Sequence, residues 1–254
     1  MIIMKKNLLG MIVLSPLFML SCQNKAEVTP SQTIEQDTLQ SDIVVVEEVS
    51  PPQKSTMALY MEEQGLVNIH TLDSTIRVDL KYATTDNFTK EILYDDLAEA
   101  YLHPIAAKKL AKAQQLLREY DSNLSLLVYD AARPMSVQKK MYKVVQNTPY
   151  REYVADPSKT GMHNYGMAVD LTICDSDGVA LDMGTSFDFF GKAAGINQEE
   201  QLLKEGLLTR EQIDNRKLLR KVMTEAGFIT IRGEWWHFNA SSRAEAKSNT
   251  KLID

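Results

Sequence analysis

The chain has 254 residues, of which 44% are hydrophobic and 24% are charged, a composition that can bury one sizeable core and predicts one main domain. The net charge of -6 argues against a nucleic-acid partner, which would favour a basic face. The mean hydropathy of -0.25 excludes a protein that crosses a membrane many times.

Residues 1–21 are predicted to be a secretory signal peptide. Two lysines precede an apolar run over residues 8–20, and a small residue stands before Cys22. This run is shorter than the ~17 residues that a membrane-spanning helix needs. The alternative to a cleaved signal peptide is an anchor that stays uncleaved. The run MLSC at residues 19–22 resembles a bacterial lipoprotein signal, which implies that Cys22 is lipidated. We therefore expect a lipid-anchored protein of the cell envelope, in the periplasm or at the outer membrane.

The chain outside the main domain is predicted to lack a core. Residues 22–57 are rich in Gln, Ser, Thr, Pro and Glu, a composition typical of a flexible tether. Residues 243–254 are expected to be a polar tail that frays. The domain itself is predicted to span residues 58–242. If Cys22 carries lipid, Cys174 is the only thiol left, so no intramolecular disulfide can form.

Helical and strand patterns alternate along this domain without a regular βαβ repeat. Strands are predicted over residues 76–80, 124–129, 167–173 and 228–231. Helices are predicted over residues 104–117, with a proline in the first turn, over 137–145, and over 211–226, with Gly227 as the C-terminal cap. The order predicts an α+β fold with a mostly antiparallel central sheet flanked by helices.

Two of the four histidines lie in motifs that indicate chemistry. We expect His70 and His103 to be structural, as lone histidines usually are. His163 lies in the run GMHNYGMAVD, which ends at Asp170, seven residues further on. An unbroken strand would aim side chains seven residues apart at opposite faces. The intervening NYG therefore predicts a turn that lets both side chains converge, with Asp170 on a strand and His163 on the preceding loop.

The second motif is EWWH, in which Glu234 stands three residues before His237. Two histidines and one carboxylate, with water in the open position, form a catalytic zinc set, and His163, Asp170 and His237 complete it. Zinc lowers the pKa of water towards ~7, and a nearby carboxylate can take the proton. Glu234 is predicted to be that base, because the ligand count is already complete.

An arginine is predicted to polarise the scissile carbonyl. Arg133 follows a buried strand in the run YDAARP, in a position to stabilise an oxyanion. Asp130 is expected to order this turn rather than to act chemically. We expect Cys174 to be a small buried hydrophobe. Trp235 and Trp236 are expected either to line a pocket or to belong to the core.

Five motifs in order carry a resemblance to a known family. They are KYATTDNF at residues 81–88, DAARP at 130–134, the motif from His163 to Asp170, DMGTSFD at 182–188, and EWWH at 234–237. Together they resemble the zinc D-alanyl-D-alanine dipeptidases, which are related to bacterial D,D-carboxypeptidases and L-alanyl-D-glutamate endopeptidases. The match spans about residues 72–239. It implies a hedgehog/D,D-peptidase-like fold with the zinc site at one side of the sheet.

The resemblance also implies a role for each site residue. The implied roles are zinc ligand for His163, Asp170 and His237, catalytic base for Glu234, transition-state stabiliser for Arg133, and ammonium binding for Tyr82 and Asp188. One zinc per chain and a D-Ala-D-Ala substrate follow from it. The chain departs from the family at Gly161 and Met162, where the family has serines, one of them near the substrate carboxylate. This departure leaves carboxylate recognition and strict dipeptide specificity open.

Several functions therefore compete. The leading one is hydrolysis of D-Ala-D-Ala in the cell envelope, and the second is a related D,D-carboxypeptidase or endopeptidase that acts on longer stems. Asp188 with Tyr82 favours the dipeptidase, because a binding site for a free amino group blocks extended substrates. A non-heme iron oxygenase uses the same type of triad, but its acid usually follows the first histidine by two residues. An inactive binding lipoprotein is the last alternative.

Overall fold

The computed structural model describes residues 54–254. The predicted signal peptide, Cys22 and nearly all of the predicted tether lie outside these residues, so the lipid anchor stays a prediction. In the described part of the chain, no helix has the length and apolar character to cross a membrane.

Six helices and seven strands make up the described residues. The helices are α1 (Thr56–Glu63), α2 (Pro104–Tyr120), α3 (Met135–Val145), α4 (Glu199–Lys204), α5 (Arg210–Glu225) and α6 (Arg243–Asn249). The strands are β1 (Val67–Asn68), β2 (Arg77–Val78), β3 (Tyr101–Leu102), β4 (Ser125–Asp130), β5 (Ala168–Cys174), β6 (Ile229–Thr230) and β7 (His237–Asn239). Each predicted helix and strand is present, with ends that differ by a few residues.

The central sheet has the strand order β2-β4-β5-β7-β6. The pair β2 and β4 is parallel, and the other three pairs are antiparallel. The strands β1 and β3 form a separate antiparallel pair. The predicted α+β fold with a mostly antiparallel sheet is confirmed. Every residue of β4 and β5 is buried, which agrees with strands covered on both faces.

The two longest helices begin and end where their sequences predict. Pro104 occupies the first turn of α2, where the missing N–H costs no hydrogen bond. Thr209 and Gln212 form a capping box at the start of α5. Gly227 follows α5 with a φ of 93°, a conformation that favours glycine, and it has the predicted position of a C-terminal cap.

The end of the chain differs from the predicted polar tail. Residues 243–249 form α6, and the segment after it returns to the core, where the side chain of Ile253 is only 1% exposed. The backbone N–H of Ile253 donates to the carbonyl of Asn164, and its carbonyl accepts from the N–H of Met135. Leu252 and Ile253 are adjacent at the end of a polar segment and give no periodic signal for burial, so the predicted fraying of this tail was wrong.

Replacing Ile253 by alanine is expected to lower the free energy of unfolding by about 2–5 kcal/mol, because the change leaves a cavity in a packed core. Leu252→Ala is the matched control, since Leu252 is 38% exposed and its loss should change stability by less than about 0.5 kcal/mol. Urea denaturation of both variants measures the difference. Equal, small effects would show that the end of the chain does not belong to the core.

Candidate metal centre and active site

The strand register places three polar side chains in one row across the sheet. Asp170 of β5 lies opposite Asp130 of β4 on one side and opposite His237 of β7 on the other. A 3-10 turn over residues 163–165 immediately precedes β5 and carries His163. The predicted turn between His163 and Asp170 is therefore present, and it brings His163 Nε2 to 3.3 Å from Asp170 Oδ2.

Gly166 is required for this turn. Its φ is 62°, in the left-handed region that side chains with a Cβ rarely adopt. A Cβ at this position would lie 2.8 Å from the backbone nitrogen of His103 and 2.8 Å from a methyl group of Leu66. The close approach of the chain around residue 103 thus depends on the missing side chain.

His163, Asp170 and His237 bring three potential metal-binding groups together. His163 Nε2 lies 3.2 Å from His237 Nδ1 and 3.3 Å from Asp170 Oδ2. His237 Nδ1 lies 2.9 Å from Asp170 Oδ1. These atoms belong to a cluster whose ligand atoms all lie within 4.8 Å of one another. Two nitrogens and one carboxylate at this spacing form a donor set that zinc accepts.

The outward ring nitrogens of the two histidines are hydrogen-bonded in a way that suits a metal. Nδ1 of His163 lies 2.7 Å from the carbonyl oxygen of Ala131, and Nε2 of His237 lies 2.9 Å from Oδ1 of Asn239. Both oxygens only accept, so these nitrogens carry the hydrogens. The lone pairs of the other two nitrogens then face the cluster, which is the tautomer that a metal ligand needs.

Asp170 supplies the negative charge of the cluster. Burial raises the pKa of its carboxyl, but the adjacent His163 and His237 outweigh this effect and lower the pKa below its usual range. The carboxylate is therefore ionised at neutral pH and available to a cation.

Arg133 lies beside this cluster in a buried network. Its Nε donates to Asp130 Oδ2 at 3.0 Å, its Nη2 also donates to Asp130, and its Nη1 donates to Gln138 Oε1 at 2.9 Å. The hydroxyl of Tyr94 donates to the other oxygen of Asp130. Nη2 also lies 3.8 Å from Asp170 Oδ2. Of the five guanidinium N–H groups, two remain for a ligand. Asp130 orders the arginine, as expected.

Tyr82 and Asp188 are paired, although 106 residues separate them in the chain. The buried hydroxyl of Tyr82 lies 2.9 and 3.1 Å from the two oxygens of Asp188. Burial raises the pKa of Asp188 to about 8, and the charges of Asp170 and Asp130 add to the increase. Asp188 has a φ of 58°, which is strained for a residue other than glycine. The hydrogen-bond partner of this carboxyl is the uncharged hydroxyl of Tyr82, so the carboxyl suits a cationic ligand.

Glu234 lies in the loop before β7. Burial raises the pKa of its carboxyl to about 7, the charge of His237 lowers it, and the charges of Asp170 and Asp188 raise it further. A carboxyl with a pKa near neutrality can take and return a proton at physiological pH, as a general base requires.

One cavity of about 260 Å³ is lined by all the predicted site residues: Tyr82, Arg133, His163, Asp170, Asp188, Glu234 and His237. Part of its wall is aromatic, because the ring of Phe190 lies 5.1 Å from that of Phe88 and 5.0 Å from that of Tyr153. The volume lies below the ~300–1,000 Å³ of sites for drug-sized ligands, so it suits a small substrate.

The remaining candidates have structural positions. His70 Nε2 bonds to the carbonyl of Ile76, and His103 caps α2 through Nδ1, so neither reaches the cavity. Cys174 is fully buried, as predicted. The two tryptophans differ, since Trp236 lines the cavity whereas Trp235 lies in the core and donates its Nε1–H to Thr185.

Several residues of the site were not predicted from the sequence, among them Tyr94, Gln138, Asn239 and Arg243. Asn239 carried a signal, because it stands two residues after His237 and so faces the same side of β7. Gln138 lies on the buried side of α3, five residues after Arg133. Tyr94 and Arg243 come from segments without a motif, so only the folded chain identifies them.

Comparison with known proteins gives a consistent result. The family model for M15 peptidases described as D-ala-D-ala dipeptidase matches residues 62–253. The D-alanyl-D-alanine dipeptidase of Escherichia coli K12 is 34% identical over 179 residues, which are 70% of this chain and 86% of that protein. The protein of the same name from Enterococcus faecalis V583 is 28% identical over 195 residues, which are 69% of this chain and 91% of the relative.

Proposed function

The chain belongs to the M15 peptidase family of D-ala-D-ala dipeptidases, and on this basis we propose that it is a zinc-dependent dipeptidase that hydrolyses D-alanyl-D-alanine in the cell envelope. The observation that carries the proposal is the convergence of a metal-binding cluster, a carboxyl with a pKa of about 7 and an ammonium-binding carboxyl in one small cavity. The predicted signal peptide and the predicted lipidation of Cys22 support the location.

The protein groups divide the chemistry of peptide hydrolysis between them. Zinc held by His163, Asp170 and His237 would polarise the scissile carbonyl and lower the pKa of water. Glu234 takes the proton from the attacking water and returns it to the leaving amine. The two free N–H groups of Arg133 stabilise the negative charge that develops on the carbonyl oxygen.

The other end of the cavity selects the substrate. A free dipeptide carries an ammonium group, and Asp188 in its ionised form is the counterion that this group needs. The Tyr82 hydroxyl holds the carboxyl in place from the buried side. An extended peptide has a neutral amide instead of the ammonium group, so it would leave Asp188 unpaired. A binding site for a free ammonium group favours the dipeptidase over a D,D-carboxypeptidase or endopeptidase.

A panel of four substrates tests the proposal: D-Ala-D-Ala, D-Ala-D-lactate, an N-acylated dipeptide and a muropeptide. We expect hydrolysis of the free dipeptide and little or no hydrolysis of the N-acylated dipeptide and the muropeptide. Preferred hydrolysis of the muropeptide would show that the protein is a carboxypeptidase or endopeptidase and not a dipeptidase.

Membership of a peptidase family and the presence of Glu234 both disfavour the iron oxygenase.

Replacing Asp188 by asparagine is expected to raise KM for D-Ala-D-Ala by about 10- to 150-fold, because a charged hydrogen bond contributes about 1.5–3 kcal/mol. Asp177→Asn is the matched control, since Asp177 is exposed and does not line the cavity. Steady-state kinetics on both variants give the comparison. An unchanged KM in Asp188→Asn would contradict the role in ammonium binding.

The pH dependence of KM follows from the same group. Asp188 has a raised pKa of about 8, so it is protonated below that pH and cannot pair with an ammonium group. KM should therefore rise by up to about tenfold per pH unit as the pH falls below 8. Above about pH 8 the α-amino group of the substrate loses its own proton. We expect the lowest KM near pH 8. In Asp188→Asn, KM should rise less steeply as the pH falls below 8.

A further inference from the structure

Neither side chain at positions 161 and 162, where the resemblance implies serines, offers a hydrogen-bond donor to the carboxylate of the substrate. At position 161 a Cβ would lie 3.3 Å from both Ala155 Cβ and Asn164 Oδ1, so the site is filled and a larger side chain would crowd it. Met162 lines the cavity, but a thioether donates no hydrogen bond. The side chains at these two positions therefore cannot bind a carboxylate.

Arg243 lies next to the loop that carries Gly161 and Met162. It is the first residue of α6 and lines the same cavity as the metal-binding cluster. Its Nη1 donates to the carbonyls of Lys159 and Thr160, each at 2.9 Å, and these residues directly precede Gly161. The two hydrogen bonds hold the guanidinium against the loop that leads to His163.

The remaining donors of Arg243 are available to a ligand. Within residues 54–254, its Nε and Nη2 make no hydrogen bond, and no carboxylate oxygen lies within 4.0 Å of its guanidinium nitrogens. The only other arginine that lines the cavity in this part of the chain is Arg133, which is paired with buried Asp130. Arg243 is thus the arginine of this cavity whose charge has no counterion among residues 54–254.

We propose that Arg243 binds the C-terminal carboxylate of the substrate and thereby replaces the side chains missing at Gly161 and Met162. The inference rests on the proposed dipeptidase function. A guanidinium offers parallel N–H groups that match a carboxylate, which a neutral amide or ester end does not. Asp188 and Arg243 together then bind both charged ends of a free dipeptide. Longer peptides are therefore excluded because they lack one of these charges at the required position, as well as because the cavity is small.

The test compares D-Ala-D-Ala with its C-terminal amide in four proteins: the wild type, Arg243→Gln, Arg243→Lys and the control Lys247→Gln. Glutamine keeps a donor for the loop carbonyls but removes the charge, whereas lysine keeps the charge. Lys247 carries the same charge on α6 but does not line the cavity. Zinc content and thermal stability are measured for each protein.

In Arg243→Gln we expect KM for D-Ala-D-Ala to rise about 10- to 100-fold, with a much smaller change in kcat and none in zinc content. The amide should be affected little, so the preference of the wild type for the free acid should largely disappear. Arg243→Lys should retain most of this preference, and Lys247→Gln should retain all of it. A merely structural arginine would change both substrates equally or lower the zinc content, and either result would overturn the proposal.

Failure of the proposed function is distinguishable from failure of this inference. A wild type that hydrolyses neither substrate contradicts the dipeptidase proposal. In that case calorimetric titration of the same two compounds still tests Arg243. Tighter binding of the acid in the wild type, lost in Arg243→Gln, supports the inference. Equal affinities in both proteins, or no binding at all, overturn it.

Discussion

Replacing Glu234 by glutamine is expected to lower kcat by about 10²- to 10⁴-fold while the protein keeps one zinc per chain. Glutamine has nearly the same size and shape but cannot take a proton from water. The carboxyl is not a member of the metal-binding cluster, so its loss should leave the three ligands in place. Kinetics with D-Ala-D-Ala and elemental analysis of the purified variant measure the two quantities.

Glu152→Gln is the control for this experiment. Glu152 is another acidic residue that lines the cavity, and no step of the proposed reaction involves it. Its replacement should leave kcat within a few-fold of the wild-type value. Retained activity in Glu234→Gln would refute the general-base role. Loss of zinc in that variant would instead make Glu234 part of the metal site.

Arg133→Met is the second change with a large expected effect, and it acts on both activity and stability. Loss of the donors that face the developing oxyanion should lower kcat by about 10²- to 10³-fold. The change also leaves the fully buried Asp130 without its cation, which should cost about 3–5 kcal/mol of folding free energy. Kinetics and urea denaturation measure the two effects separately.

A double variant separates the two roles of Arg133. In Asp130→Asn/Arg133→Met no unpaired charge is buried, and the amide oxygen introduced at position 130 can still accept from the hydroxyl of Tyr94. Stability should therefore recover in part, whereas kcat should stay low. If kcat recovered together with stability, the arginine would act by supporting the fold and not by stabilising the transition state.

The sequence predicts those parts of the site that depend on local chemistry. The NYG run before Met167 indicates a turn because a glycine can adopt the left-handed conformation, and Gly166 does so. The predicted placement of Asp170 on a strand is also present, whereas its position opposite His237 follows from the register of β5 and β7 in the folded chain. The pairing of Tyr82 with Asp188, in contrast, came only from the family resemblance. No local pattern links two residues 106 positions apart.

Other features could not be predicted because they depend on contacts between distant segments. The buried position of Ile253 is held by backbone hydrogen bonds to Asn164 and Met135, which are distant from it in the chain. Arg243 joins the cavity because α6 packs beside the loop at residues 159–160. A polar segment of twelve residues with little hydrophobic periodicity gives no indication of either contact. The segment that was predicted to be a polar tail therefore contains Ile253, which is buried in the core, and Arg243, which lines the cavity.

We propose that one zinc ion is held by His163, Asp170 and His237. Crystals of the full-length protein, measured with X-rays just above and just below the zinc absorption edge, test it directly. We predict a single anomalous peak that is present only above the edge and lies about 2.0–2.2 Å from a ring nitrogen of each histidine and from an oxygen of Asp170. A peak elsewhere, no peak, or a peak that appears only at the iron edge would contradict the claim.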